Sequence, residues 1–147
     1  MNAAGPVGSG AGTAGVLQMR LVVEADDLDA AERFYRDALG LSELASYEAD
    51  GGARVVILDA GRATLELMNP AQKAYVDRVE KTRLPAPKLR VAFQVKDSAG
   101  TAAMLADVGA EILAPATETP WRSLNARLEA PAGLQVTLFQ ELEPEFD

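Results

Sequence analysis

The chain contains no histidine and no cysteine. The first absence removes Ser-His-Asp triads, histidine general bases and every histidine-ligated metal site together. The second removes disulfides, thiolate zinc sites and cysteine nucleophiles, and is compatible with a cytoplasmic location. Any catalysis has to rest on carboxylates, arginine, lysine, tyrosine, hydroxyls or a metal held mainly by oxygen. Basic residues are a minority, 14 Lys and Arg against 22 Asp and Glu, for a formal charge of −8. No nucleic-acid partner is expected, because phosphate binding needs clustered cations. No apolar run approaches the roughly 20 residues of a spanning helix, so no membrane partner is expected either. Residues 1–15 are rich in Gly, Ala and Ser, without a basic cluster or an apolar signal-peptide core. They are expected to be a disordered tail or an expression remnant, and residues 142–147 a short acidic tail.

What the chain does have is an internal repeat. With 147 residues, 48% of them hydrophobic, it is long enough for one domain with a real core. The segment RLVVEADDLDAAERFYRDALG starts at Arg20 and RVAFQVKDSAGTAAMLADVGA at Arg90. Asp27 and Asp97 stand at the same interval, and in both copies an alternating strand runs into an Asp cap and then a helix. Leu21, Val23 and Ala25 oppose Arg20, Val22 and Glu24; Val91, Phe93 and Val95 oppose Arg90, Ala92 and Gln94. Period two puts such sets on opposite faces of a sheet. Asp27 is placed to cap a helix ending at Gly40, with Ala31, Phe34, Tyr35, Ala38 and Leu39 inward. The second helix, from Asp97 or Ser98 to Gly109, presents Thr101, Met104, Leu105 and Val108 on one face.

Three strand signals follow each helix. In the first copy they lie near 44–48, 54–59 and 64–68, in the second near 111–113, 123–128 and 134–140. Asn69 and Pro70 open a linker helix, and Pro85-Ala86-Pro87 closes the linker. The reading is α+β: two βαβββ modules forming a curved mixed sheet around a shared cavity. Module one covers residues 16–69, the linker 70–87 and module two 88–141, in a single domain over 16–141.

ADDLDAAERFYRDALG, ATLELMNP and APAGLQVTLFQ carry a family resemblance. The first, with Asp27-Leu28 and Phe34-Tyr35, looks like the strand-to-helix entry of the vicinal oxygen chelate superfamily. That superfamily includes glyoxalase I, extradiol dioxygenases and bleomycin-resistance proteins. The last looks like its final Pro-x-Gly turn and closing strand. The resemblance spans about residues 17–141 and implies a glyoxalase/bleomycin-resistance-like fold. It places the metal-ligand positions of metal-dependent members at Arg20, Glu66, Arg90 and Thr137. Of these only Glu66 is a ligand-type side chain, since arginine stays protonated and offers no lone pair. No metal and no other cofactor is therefore expected.

The same placement turns Arg20, Glu24, Glu66, Arg90, Gln94, Asn125 and Thr137 toward the cavity. Arg20 and Arg90 then make a recess for a carboxylate, phosphate or enolate-like oxygen, or one of them simply neutralises Glu66. Gln94, Asn125 and Thr137 are the further ligand-binding candidates. Trp121 either stacks on a planar ligand or caps the core edge, and Tyr75 and Arg78 on the linker helix either form a lid or a solvated face. The resulting function is a metal-free small-molecule binding protein, sequestering a drug or metabolite that is anionic or aromatic. The alternative is a metal-independent isomerase, cyclase or lyase, or a glyoxalase- or dioxygenase-like enzyme, acting on an anion with Glu24 or Glu66 as base. A degenerate module without a ligand is the third reading. A homodimer is expected, because small relatives pair modules across subunits and two open half-barrels leave strand edges to cover.

Overall fold

The computed structural model describes residues 18, 20–64 and 66–142. The expected tail over 1–15 and all but the first residue of the acidic tail lie outside the described residues, as does Leu65. Module two folds as its pattern predicts. Strand β3 (Val91–Gln94) leads to helix α3 (Ser98–Asp107), then β4 (Glu111–Glu118), β5 (Ser123–Ala130) and β6 (Leu134–Glu141). These strands form one mixed sheet in the order β3-β6-β5-β4, with β3 parallel to β6 and the other pairings antiparallel. Asp97 caps α3 by accepting from the Gly100 amide at 3.0 Å, and Gly109 takes φ +111° just past the helix, a left-handed value that glycine adopts without strain.

Module one is less complete. Asp27 accepts from the Ala30 amide at 2.9 Å and opens helix α1 (Leu28–Ala31), which continues as a π-helix over Glu32–Ala38. Phe34 and Tyr35 are both buried on this wider turn, edge to face with centroids 4.8 Å apart. A hairpin follows, β1 (Glu43–Ala49) antiparallel to β2 (Ala53–Leu58). Segment 20–25 and the described residues of 64–68, where strands are expected, carry no regular pairing. Leu21, Val22, Val23, Leu67 and Met68 are all exposed, Val22 at 88% and Leu67 at 83%. Alternation alone does not make a strand; a partner edge and a face to bury are also needed.

One core joins the halves. Ala31, Phe34 and Tyr35 pack with Ala102 and Leu105 of α3 and with Ala126, Leu128, Val136 and Leu138 of the sheet. The Tyr35 hydroxyl donates to the Pro131 carbonyl at 2.8 Å, tying module one to the β5–β6 turn. The buried side of α3 is Ser98, Ala102 and Leu105; Met104 and Val108, expected inward, are exposed. Helix α2 (Pro70–Glu80) begins as its sequence dictates, with Asn69 accepting from the Gln72 amide and Pro70 at the first position. It ends at Lys81 in a left-handed conformation. No helix among the described residues is long and apolar enough to cross a membrane.

Candidate functional site

Alternation along β5 and β6 gives the four-stranded sheet two unlike faces. Leu124, Ala126 and Leu128 of β5 share a side with Val136 and Leu138 of β6, and Ala126, Leu128, Val136 and Leu138 pack on α3. The opposite side carries Ser123, Asn125 and Arg127 beside Gln135 and Thr137, all buried. Buried polar side chains on this scale require partners, and α2 supplies them. Glu80, 1% exposed, accepts from Arg127 Nη2 at 2.6 Å and Nε at 3.1 Å on one oxygen, and from Asn125 Nδ2 at 2.8 Å on the other. Arg127, itself 0% exposed, also donates to Asp77 at 2.8 Å and to Gln135 at 3.1 Å. Ser123 donates to Asn125 Oδ1 at 2.7 Å and lies 2.8 Å from the Thr119 hydroxyl, extending the network to the β4–β5 turn. Asp77 also accepts from the Ala86 amide at 3.1 Å. Burial raises the pKa of its carboxyl, but the Arg127 and Ala86 hydrogen bonds and the charges of Arg127 and Lys73 outweigh this and hold it below the usual value.

Helix α2 covers this face over β4 and β5 and leaves it open over β3, where Ala92 and Gln94 are exposed. Arg90 sits between the covered and open parts. Its guanidinium is half-buried and donates to the Thr137 hydroxyl at 2.6 Å. Among the described residues it forms no ion pair. Burial first, then the Arg127 charge, lowers its pKa; Glu80, Glu66 and Asp77 oppose that effect.

The candidates named from sequence thus divide into groups. Arg90, Thr137 and Asn125 share the polar face, with Asn125 committed to Ser123 and Glu80. Gln94 lines an open cleft at the end of β3 with Lys96, Gln140 and Glu141. Glu66 is exposed and acts on Arg90 through its charge, without an ion pair to Arg90 among the described residues. Arg20 is exposed and donates to Gln18 at 3.3 Å, and among the described residues neither arginine forms an ion pair with Glu66. Glu24 lines a separate cleft with Asp26, Asp27 and the Pro131–Gly133 turn. Trp121 packs on Tyr75 of α2, centroids 6.4 Å apart, and Arg78 lies 5.8 Å from the Tyr75 ring centre. Asp77, Glu80 and Arg127 were not singled out by sequence. Their signals were present: an arginine in phase with Asn125 on a core strand, and two carboxylates three apart on a helix face.

The four-stranded mixed sheet, and residues 20–139 as the span of the match, fit the glyoxalase-like domain. The chain belongs to the glyoxalase-like domain family. Solved structures agree on the fold. A member of the glyoxalase/bleomycin resistance protein/dioxygenase superfamily from Sphaerobacter thermophilus is 22% identical, with 81% of this chain and 92% of that chain covered and a TM-score of 0.54. A glyoxalase family protein from Bacillus cereus is 18% identical, with 89% and 98% covered and a TM-score of 0.56. A glyoxalase-related enzyme from Fulvimarina pelagi is 16% identical, with 86% and 89% covered and a TM-score of 0.52. No curated protein matches the sequence significantly. The residues at the positions that the resemblance assigns to metal ligands are not a metal-ligand set, because arginine offers no lone pair. At the corresponding positions a guanidinium donates to the Thr137 hydroxyl, and no three Asp or Glu side chains converge among the described residues.

Proposed function

We propose that the protein binds a small anionic molecule without a metal, on the polar face of its second module, and that Arg90 is the primary contact. The supporting observation is the half-buried Arg90 guanidinium, bonded to the Thr137 hydroxyl and lacking an ion pair among the described residues. Partly desolvating a cation that has no carboxylate partner carries a cost, and a ligand carboxylate, phosphate or enolate oxygen would offset it through charge-assisted hydrogen bonds. Gln94 borders the open side, where the body of the ligand would extend. Sequestration of a drug or metabolite in a reducing cytoplasm suits a chain without cysteine.

The working unit in this reading is a homodimer. The apolar residues exposed on module one, Leu21, Val22, Leu44, Val55 and Leu67 among them, are the surface a second copy would cover. Arg20, exposed at the start of the same segment, would then reach a ligand only in the assembled dimer. A second reading is a metal-independent isomerase or lyase. There Glu66 would be the base and Arg90 the oxyanion partner, and turnover on a panel of small oxo- and hydroxy-acids separates the two.

Benzoate titration by calorimetry tests the proposal. Saturable binding to the wild type, weakened by about 1–3 kcal/mol in Arg90→Met, is the expected result. Equal affinity in the variant refutes the role of Arg90. Stoichiometric tightly bound metal in the purified protein refutes metal independence. Sedimentation as a monomer across micromolar concentrations refutes the dimer.

A further inference from the structure

Glu80 occupies what is chemically a carboxylate receptor. Two nitrogens of Arg127 bind one of its oxygens and Asn125 binds the other, all inside a buried pocket. The element that delivers Glu80 buries little apolar surface of its own. Only Val76 and Glu80 of α2 are buried; Asp77 bonds to Arg127 and Tyr75 meets Trp121, while three residues past the helix the Arg83 amide donates to the Leu113 carbonyl of β4 at 3.0 Å, a point about which the helix can swing. Segment 59–69 before the helix has no regular structure among its described residues, and Lys81–Arg90 after it has none either. The net stabilisation from a buried ion pair is small, because desolvation cancels most of the attraction. Replacing one carboxylate by another keeps every donor satisfied and returns Glu80 to water.

We infer that Arg127 and Asn125 form a carboxylate subsite that Glu80 occupies in the free protein, and that a ligand carboxylate enters by displacing Glu80 and lifting α2. The inference rests on the reading that this face binds an anion, and adds where the anion finally sits and what it must displace. Arg90, beside Arg127 at the open edge, attracts the incoming charge. The closed helix then lowers apparent affinity by the fraction of molecules in which the subsite is free. Trp121, the single tryptophan, touches Tyr75 on the moving helix and reports its displacement.

The test uses the full chain, with benzoate and acetate as probes and chloride as control. In Glu80→Ala both carboxylates should bind saturably, at least about tenfold tighter than to the wild type. Arg127→Met in that background should abolish this binding. In the wild type, saturating benzoate should change Trp121 fluorescence and speed amide exchange throughout α2. If Glu80→Ala does not fold, Glu80→Gln keeps the volume and removes the charge, and should tighten benzoate binding by about tenfold. Benzoate affinity unaffected by both substitutions, or wild-type binding with α2 exchange unchanged, overturns the inference. The two proposals fail separately. Insensitivity to Glu80 alongside a loss in Arg90→Met removes the latch and keeps the Arg90 site; the converse removes Arg90 and keeps the latch.

Discussion

The two halves of this chain begin with the same strand–cap–helix pattern and end very differently. Module two pairs four strands and covers both faces, α3 on the apolar side and α2 over much of the polar side. Among the described residues module one pairs β1 with β2 alone, and Leu21, Val22, Val23, Leu67 and Met68 in the expected flanking strands are exposed. The contrast teaches that a strand pattern is a capacity to pair, realised where a neighbouring edge and an inward face are both available. In module two, β6 supplies the edge for β3, and Leu105 and Leu128 bury the face that β3 extends with Phe93. The mirrored segments of module one offer each other the same alternation, but their apolar residues face solvent in the single chain.

The largest expected effect is at the network that only module two possesses. Arg127→Met strands the buried carboxylate of Glu80 and the partly buried one of Asp77 and should cost about 3–5 kcal/mol in denaturant unfolding. Glu80→Ala in the same background should recover part of it, because the second charge is then gone as well. A loss below about 1 kcal/mol in the single variant would mean that α2 is not held to the sheet in this way.

Next comes the contrast in packing. Leu138→Ala, in the shared core, should cost about 2–5 kcal/mol, whereas Leu44→Ala on the exposed hairpin should cost no more than about 0.5 kcal/mol in the monomer. At concentrations where the protein is dimeric, a Leu44→Ala penalty that grows with concentration would show that the hairpin is buried between copies. Equal penalties for the two substitutions at every concentration would erase the distinction between the halves.

The helix caps should behave alike, which sharpens the comparison from the other side. Asp27→Ala and Asp97→Ala each remove one carboxylate bond to a first-turn amide, and each should cost about 1 kcal/mol by thermal or chemical unfolding. A much smaller loss at Asp27 would place the incompleteness of module one in its helix as well as its strands.

The smallest effect is with acid. The folded-state pKa of Asp77 lies below its ordinary value of 3.8, so its contribution is fully present above that pH and is lost as pH falls through the depressed value. Trp121 fluorescence should report loosening of α2 in that acid range, and Asp77→Asn should remove this component of the profile. An unchanged acid profile in Asp77→Asn would separate Asp77 from the latch.

By itself the sequence determined the repeat, the α+β class, both Asp caps, the Asn69-Pro70 helix start and the family membership. These are local or periodic properties: a cap is set by a few neighbouring residues, and alternation by the geometry of the strand. The family resemblance, through the ligand positions it carries over, also brought Arg90 and Thr137 together, and they share a hydrogen bond. Only the tertiary structure decided that α2 lies over the polar face, that Glu80 and Asp77 answer Arg127, and that Trp121 meets Tyr75. Nor did alternation reveal that segment 20–25 and the described residues of 64–68 stay unpaired. The reason is common to all of these. Each depends on contacts between residues far apart in the chain, where burial and partner geometry decide which of several locally acceptable arrangements is stable.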